Sequence, residues 1–270
     1  MRSTILLPLL RDLTVYSDGL FPHSTISDVL AASDYQVRRL RLANFGSSTP
    51  SIPGEQLDFG GNLRYLRVEG NSSFLDCFQP LPHGLVGLRE MYMGRIDGQS
   101  SDRARELLAE VAPNLEKLTI GNGDVTGIVE SFPILTRLTR LSLPSVPASL
   151  DSLPLPPSLV FLQFFYDDNL LPLFALWNAK PALLPATLQQ IDIGWVHDLQ
   201  TLEQLPPVAK FVTEYHNQLV ESLRRLSPRT SPFKALEVYF ETYRLDKVAA
   251  VEAECERLEV EFHRRHESFA

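Results

Sequence analysis

Cysteine is nearly absent from this 270-residue chain; Cys77 and Cys255 are its only two. Two thiols build neither a disulfide framework nor a zinc site. Long apolar runs are missing too. The longest charge-free apolar run near the start covers residues 5–10, whereas a secretory core takes about 7–15 residues and a membrane span about 18 or more. Without either segment, and with two unpaired cysteines, the expected setting is intracellular, cytoplasmic or nuclear. Positive charge is in deficit, 25 Lys and Arg against 33 Asp and Glu for a net charge of −8, which argues against general nucleic-acid binding. No G-x-S-x-G, H-E-x-x-H, Walker A or G-x-G-x-x-G motif occurs. His263 and His266 form the one close histidine pair, but no Cys, Asp or Glu set at ligand spacing accompanies them, so they read as part of a polar tail. Asp167 and Asp168 read as a strand-ending turn, Cys77 and Cys255 as packed thiols, and Asn71-Ser72-Ser73 as a glycosylation pattern without an export route. Hence no catalytic residues, no metal and no cofactor are expected.

What the chain does contain is a repeat. Hydrophobic residues make up 44% and charged residues 21%, an ordinary globular balance. Within it one phrase recurs ten times: apolar, two variable, apolar, one variable, apolar. "LRDLTV", "VRRLRL", "LRYLRV", "LREMYM", "LEKLTI" and "LTRLSL" are the first six, and "LVFLQF", "LQQIDI", "FKALEV" and "CERLEV" follow. The middle anchors are Leu13, Leu40, Leu66, Met91, Leu118, Leu141, Leu162, Ile191, Leu236 and Leu258. Eight of the nine steps between them lie between 21 and 29 residues, and the ninth, 45, is about two units long. A unit of this size cannot bury its apolar face alone, so neighbouring units stack. Each supplies one short strand with its anchors turned inward and its intervening residues outward.

The segments between the strands differ in kind. Residues 25–34 and 101–113 carry Ser, Thr or Asp starts followed by helical apolar spacing. The returns between about 144 and 190 are proline-rich and predict turns and short 3₁₀ pieces. Within the 45-residue step, Val208, Phe211, Val212, Tyr215, Leu219, Leu223 and Leu226 follow helical spacing, which predicts a long amphipathic helix over 206–228.

The strand pattern also predicts which residues face outward. Arg39, Arg41 and Arg67 gather with Tyr16, Tyr65 and Tyr92 on the first four strands, while Glu237, Glu259 and Glu261 fall on the last two. Arg and Tyr are enriched where binding energy concentrates. The arginines are answered either by an acidic segment of a partner or, in place, by Asp12, Glu69 and Glu90. Phe161 and Phe165 point out from one strand and serve either as contact residues or as a surface covered by the proline-rich returns or the long helix.

The ten phrases resemble leucine-rich repeats, L-x-x-L-x-L-x-x-N/C-x-L, over essentially the whole chain, although the ladder asparagine stands clearly only at Asn71. The resemblance implies an α/β fold: a leucine-rich repeat solenoid, a curved horseshoe with a parallel β-sheet on its concave face and mixed helical and irregular convex returns. Residues 1–270 would form a single domain of about ten units with the helical insertion near 206–228. "LLAEVAPNLEKLTIGN", "LPPSLVFLQF" and "LPATLQQIDI" resemble the irregular repeats of fungal F-box/leucine-rich repeat proteins. In that family the repeats capture a substrate protein and an F-box recruits the Skp–cullin ubiquitin ligase; no F-box-like segment is readable ahead of the first repeat here. The expected role is therefore a non-catalytic module binding a protein partner on its concave face, with Tyr16, Arg39, Arg41, Tyr65, Arg67, Tyr92, Phe161 and Phe165 as contact residues. The partner is expected to be a protein, with an acidic segment among the candidates; neither nucleic acid nor membrane is expected. The alternatives are the substrate-recognition part of an F-box type ubiquitin ligase, joined to Skp–cullin components through a missing region, and an enzyme or enzyme inhibitor on a repeat scaffold.

Overall fold

The computed structural model describes residues 7, 9–16, 23–45, 57–70, 84–96, 101–146, 153–165, 170–194, 201–214, 218–229, 231–240 and 245–266. Asn71, Cys77, Asp167 and Asp168 lie outside them. The fold is α/β, with parallel strands that follow chain order and helices between several of them. The chain divides into two compact units, Met1–Arg140 and Leu141–Ala270.

In the first unit, Asp12–Tyr16 (β1), Arg39–Phe45 (β2), Tyr65–Gly70 (β3), Glu90–Met93 (β4) and Lys117–Ile120 (β5) pair in that order. Leu13, Leu40, Leu66, Met91 and Leu118 stand side by side in register. This is the alignment that the repeated phrase requires, because a slip of one residue would turn every anchor to the other face. Leu40, Leu66 and Leu118 are fully buried, each stabilising the unit by about 1.5–3 kcal/mol. Leu13 and Val15, on the edge strand, are half-buried. The expected helices form at His23–Ala32 (α1) and Ser101–Val111 (α2). The latter buries Ala104, Leu107, Leu108 and Val111, one stripe at helical spacing. A 3₁₀ segment follows at Val129–Ile134.

The strands assigned to the second unit are β6 (Arg140–Leu143, which begins at the unit boundary), β7 (Phe161–Phe164), β8 (Gln190–Ile193), β9 (Val208–Glu214), β10 (Phe233–Phe240) and β11 (Glu261–His266). Between them lie helices Leu170–Ala179 (α3), Thr201–Gln204 (α4), Leu219–Arg225 (α5) and Leu245–Leu258 (α6).

Three expectations are corrected here. The long helix over 206–228 does not form: Val208–Glu214 is a strand, and among the described residues of this span only Leu219–Arg225 is helical. The apolar positions fit either period, but β8 and β10 both present backbone groups that need partners. The Lys210 amide donates to the Gln189 carbonyl at 2.9 Å and the Val208 amide to the Pro232 carbonyl at 2.8 Å. Phe211 stands between Ile191 and Leu236, so the long step resolves into 20 and 25 residues. Second, "CERLEV" is not a strand. Val251, Cys255 and Leu258 are buried along α6 at helical spacing, Glu259 breaks the helix at φ +57°, and the strand starts at Glu261. Third, the proline-rich return at 170–179 is an α-helix. Pro172 sits in its first turn, where no amide is needed, and Leu170, Leu173, Phe174 and Trp177 fill one buried stripe. A 3₁₀ turn does form at Pro181–Leu183.

Candidate functional site

The outward residues of the first unit come together by register. Arg39, Tyr65, Glu90 and Lys117 stand in one row across β2 to β5; Arg41, Arg67, Tyr92 and Thr119 stand in the next. Glu69 sits between two guanidiniums. Arg41 donates Nη2 to both carboxylate oxygens at 2.9 and 3.0 Å, and Arg67 donates its Nε to the same carboxylate. Burial would raise the Glu69 pKa, but these two arginines outweigh it and hold the carboxyl below its ordinary value. For Arg67, burial works against the charge, and Tyr65 and Glu69 outweigh it, so its pKa shifts upward. Two of the three arginines are thus answered from within the chain, while Arg39 meets no carboxylate among the described residues.

Two of these arginines, Arg39 and Arg67, also lie over a ring on the next strand. The Arg39 guanidinium is 5.4 Å from the Tyr65 ring centre and that of Arg67 is 4.2 Å from Tyr92, distances at which the ring quadrupole attracts the cation. Tyr92 leans across the following strand because residue 121 is glycine: a Cβ there would lie 2.6 Å from the Tyr92 hydroxyl and 2.8 Å from the Gly94 carbonyl oxygen. What remains open is a recess of about 240 Å³ lined by Tyr65, Arg67, Glu90, Met91, Tyr92, Lys117 and Thr119. Lys117 and Glu90, both half-exposed, approach only to 3.9 Å. The recess therefore combines aromatic walls, two cations, one carboxylate and a hydroxyl, a composition suited to holding side chains of another molecule.

Tyr16, Phe161 and Phe165 are not among the residues that line the recess. Tyr16 is 62% exposed on edge strand β1, in register with Ala43. Phe161 and Phe165, in the second unit, are both half-buried.

The second unit carries a cluster whose residues the strand pattern turns outward but does not single out. Ser142 donates its hydroxyl to Gln163 Oε1 at 2.9 Å, and Gln163 Nε2 donates to Asp192 Oδ2 at 3.3 Å. Asp192, Val212, Glu237 and His263 stand in one register row. Asp192 is only 7% exposed. The nearby cations are engaged elsewhere: Lys210 pairs with Glu237, and Arg265 reaches Glu237 at 2.9 Å and the Tyr239 hydroxyl at 2.5 Å. Burial, reinforced by Glu237 and Glu214, pushes the Asp192 carboxyl up to about 7, with Arg265 and Lys210 opposing. The expected run of Glu237, Glu259 and Glu261 is also corrected. Glu259 closes a helix, and the last strand offers Glu261, His263 and Arg265 beside Ala235, Glu237 and Tyr239. Arg257 instead donates to the Leu223 and Leu226 carbonyls at 2.6 and 3.0 Å, beside the end of α5.

Among the described residues no group of three His, Cys, Asp or Glu is placed to hold a metal ion, and no helix is long and apolar enough to cross a membrane. Compared with known proteins, the chain matches no protein-family model and no curated protein.

Proposed function

We propose that this chain is a leucine-rich repeat protein without a catalytic role, which binds a protein partner across the outward sheet face of its first unit. The repeat reading is supported by parallel strands 20–29 residues apart whose anchors stand in register. The observation that carries the binding reading is the recess framed by Tyr65, Arg67, Tyr92 and Lys117. Arg67, in the recess, is set over the Tyr92 ring and Arg39 over the Tyr65 ring before any partner arrives, so little side-chain freedom is left to lose on association.

Affinity capture from the source lysate tests this, with the wild-type chain beside a Tyr65→Ala/Tyr92→Ala variant and an Arg39→Glu variant, all with matching circular dichroism spectra. A partner held by the wild type and lost from the tyrosine variant is the expected result. Equal recovery on all three chains would remove the first-unit face as the binding surface. Skp–cullin components recovered with the partner would assign the chain to substrate recognition in an F-box type ubiquitin ligase.

A further inference from the structure

The residue after the first apolar anchor of each repeat is Arg11, Arg38, Arg64 and Arg89 in four consecutive repeats, and Glu116 in the fifth. The backbone places these residues in one row. The Arg38 amide donates to the Arg11 carbonyl at 2.7 Å, Arg64 to Arg38 at 2.8 Å, Arg89 to Arg64 at 2.9 Å and Glu116 to Arg89 at 2.8 Å. The row thus advances one strand at a time, about 4.8 Å per step, just ahead of the strands in the first unit. The side chains of Arg38, Arg64 and Arg89 are exposed. Among the described residues only Arg89 of these three meets a carboxylate, Glu116 at 3.2 Å. Arg64 is held in place by donating Nη1 to the Gly87 carbonyl at 2.6 Å, and any Cβ at residue 87 would collide with that guanidinium.

We propose that this row is a docking strip for an acidic peptide segment, a short run of Asp or Glu carboxylates laid across the strands. Three cations one strand apart repel one another and gain from an anion that bridges them. Each guanidinium offers a five-donor fork matched to a carboxylate. The chain's net charge of −8 disfavours a long polyanion at a distance, which leaves a short acidic segment as the matching occupant. Glu116 ends the strip and competes with the incoming carboxylates for Arg89. The proposal extends the reading of the first-unit face as a partner surface, yet it uses no residue that lines the recess.

The test is fluorescence anisotropy on the full chain with labelled hexaglutamate, with hexaglutamine and a short single-stranded oligonucleotide as comparisons. Hexaglutamate should bind at low salt and weaken as salt rises, and hexaglutamine should not bind. Arg38→Gln/Arg89→Gln should weaken binding about tenfold or more, while Arg105→Gln, on the helix that follows β4, leaves it unchanged. Glu116→Gln should tighten binding severalfold by freeing Arg89; its backbone carbonyl, which accepts from Thr139 and Arg140, is retained. Absent hexaglutamate binding at low salt, equal binding by the double variant, weaker binding by Glu116→Gln, or a preference for the oligonucleotide would each overturn the proposal. Tyr65→Ala/Tyr92→Ala separates the two readings, since it should lose captured partner but keep hexaglutamate. Partner loss in that variant without any hexaglutamate binding by the wild type would leave the recess standing and remove the strip.

Discussion

Asp192→Asn should make the protein more stable, and by an amount that depends on pH. The carboxyl is 7% exposed and its pKa stands at about 7, against 3.8 for a free side chain. The folded state therefore holds a proton that the unfolded chain releases through the range between these values. Below about pH 4 both states keep the proton, and the substitution changes little. As pH rises from about 4 to 7 the unfolded chain gains by ionising while the folded chain does not, so wild-type stability falls. Above about 7 both states are ionised and the difference is constant at about three pK units, or about 4 kcal/mol. Asparagine carries no ionisation to suppress and keeps an acceptor for the Gln163 amide. The variant should thus exceed the wild type by under about 1 kcal/mol at pH 4 and by about 4 kcal/mol at pH 8. Glu237 moves in the opposite direction. Burial raises its pKa, but the Lys210 hydrogen bond and charge, with Arg265 and His263, more than reverse this. It is present in both proteins and largely cancels in the comparison. Urea denaturation followed by circular dichroism at pH 4, 5, 6, 7 and 8 measures the difference. A difference that stays flat across the series, or grows toward low pH, would refute the placement of Asp192 as a buried carboxyl without its own counter-charge.

Gly121→Ala should lower stability by about 1–3 kcal/mol through overpacking, because its Cβ meets the Tyr92 hydroxyl and the Gly94 carbonyl; adding Tyr92→Phe should recover part of the loss in a double-mutant cycle read by denaturation midpoints. Phe211→Ala should cost about 3–5 kcal/mol, since Phe211 is fully buried with its ring centre 5.6 Å from that of Phe233; a loss below about 1 kcal/mol would contradict its place in the core. Cys255 is 1% exposed, and burial together with Glu252 and Glu254 pushes its thiol up to about 12. In a Cys77→Ser background a thiol reagent at pH 8 should therefore react only as the protein unfolds, and prompt reaction of the native chain would show the thiol to be accessible.

Strand positions were legible wherever the repeated phrase could be checked against its spacing. Leu40, Leu66, Met91 and Leu118 were readable as one column because a step of about 25 residues leaves a single register in which every anchor is buried. The same arithmetic carried the missing strand. A step of 45 residues held room for two units, but the spacing of Val208, Phe211 and Val212 serves a helix as well as a strand. Local pattern could not choose; the unpaired edges of β8 and β10 did. "CERLEV" failed for the converse reason, since its anchors at 255 and 258 continue a helical stripe from Val251. The outward side chains depended on these choices. Arg41 and Glu69 could be weighed as a pair because both lay on strands read correctly. Lys210 was hidden inside a supposed helix, and Arg265 lay beyond a strand placed several residues too early. With both cations out of view, nothing in the sequence marked Glu237 as the carboxylate they neutralise. The environment of Asp192 follows from that engagement. A buried carboxyl takes its proton affinity from what its neighbours are already bound to, and that is set by pairings between strands about 25 residues apart rather than by the residues on either side of it.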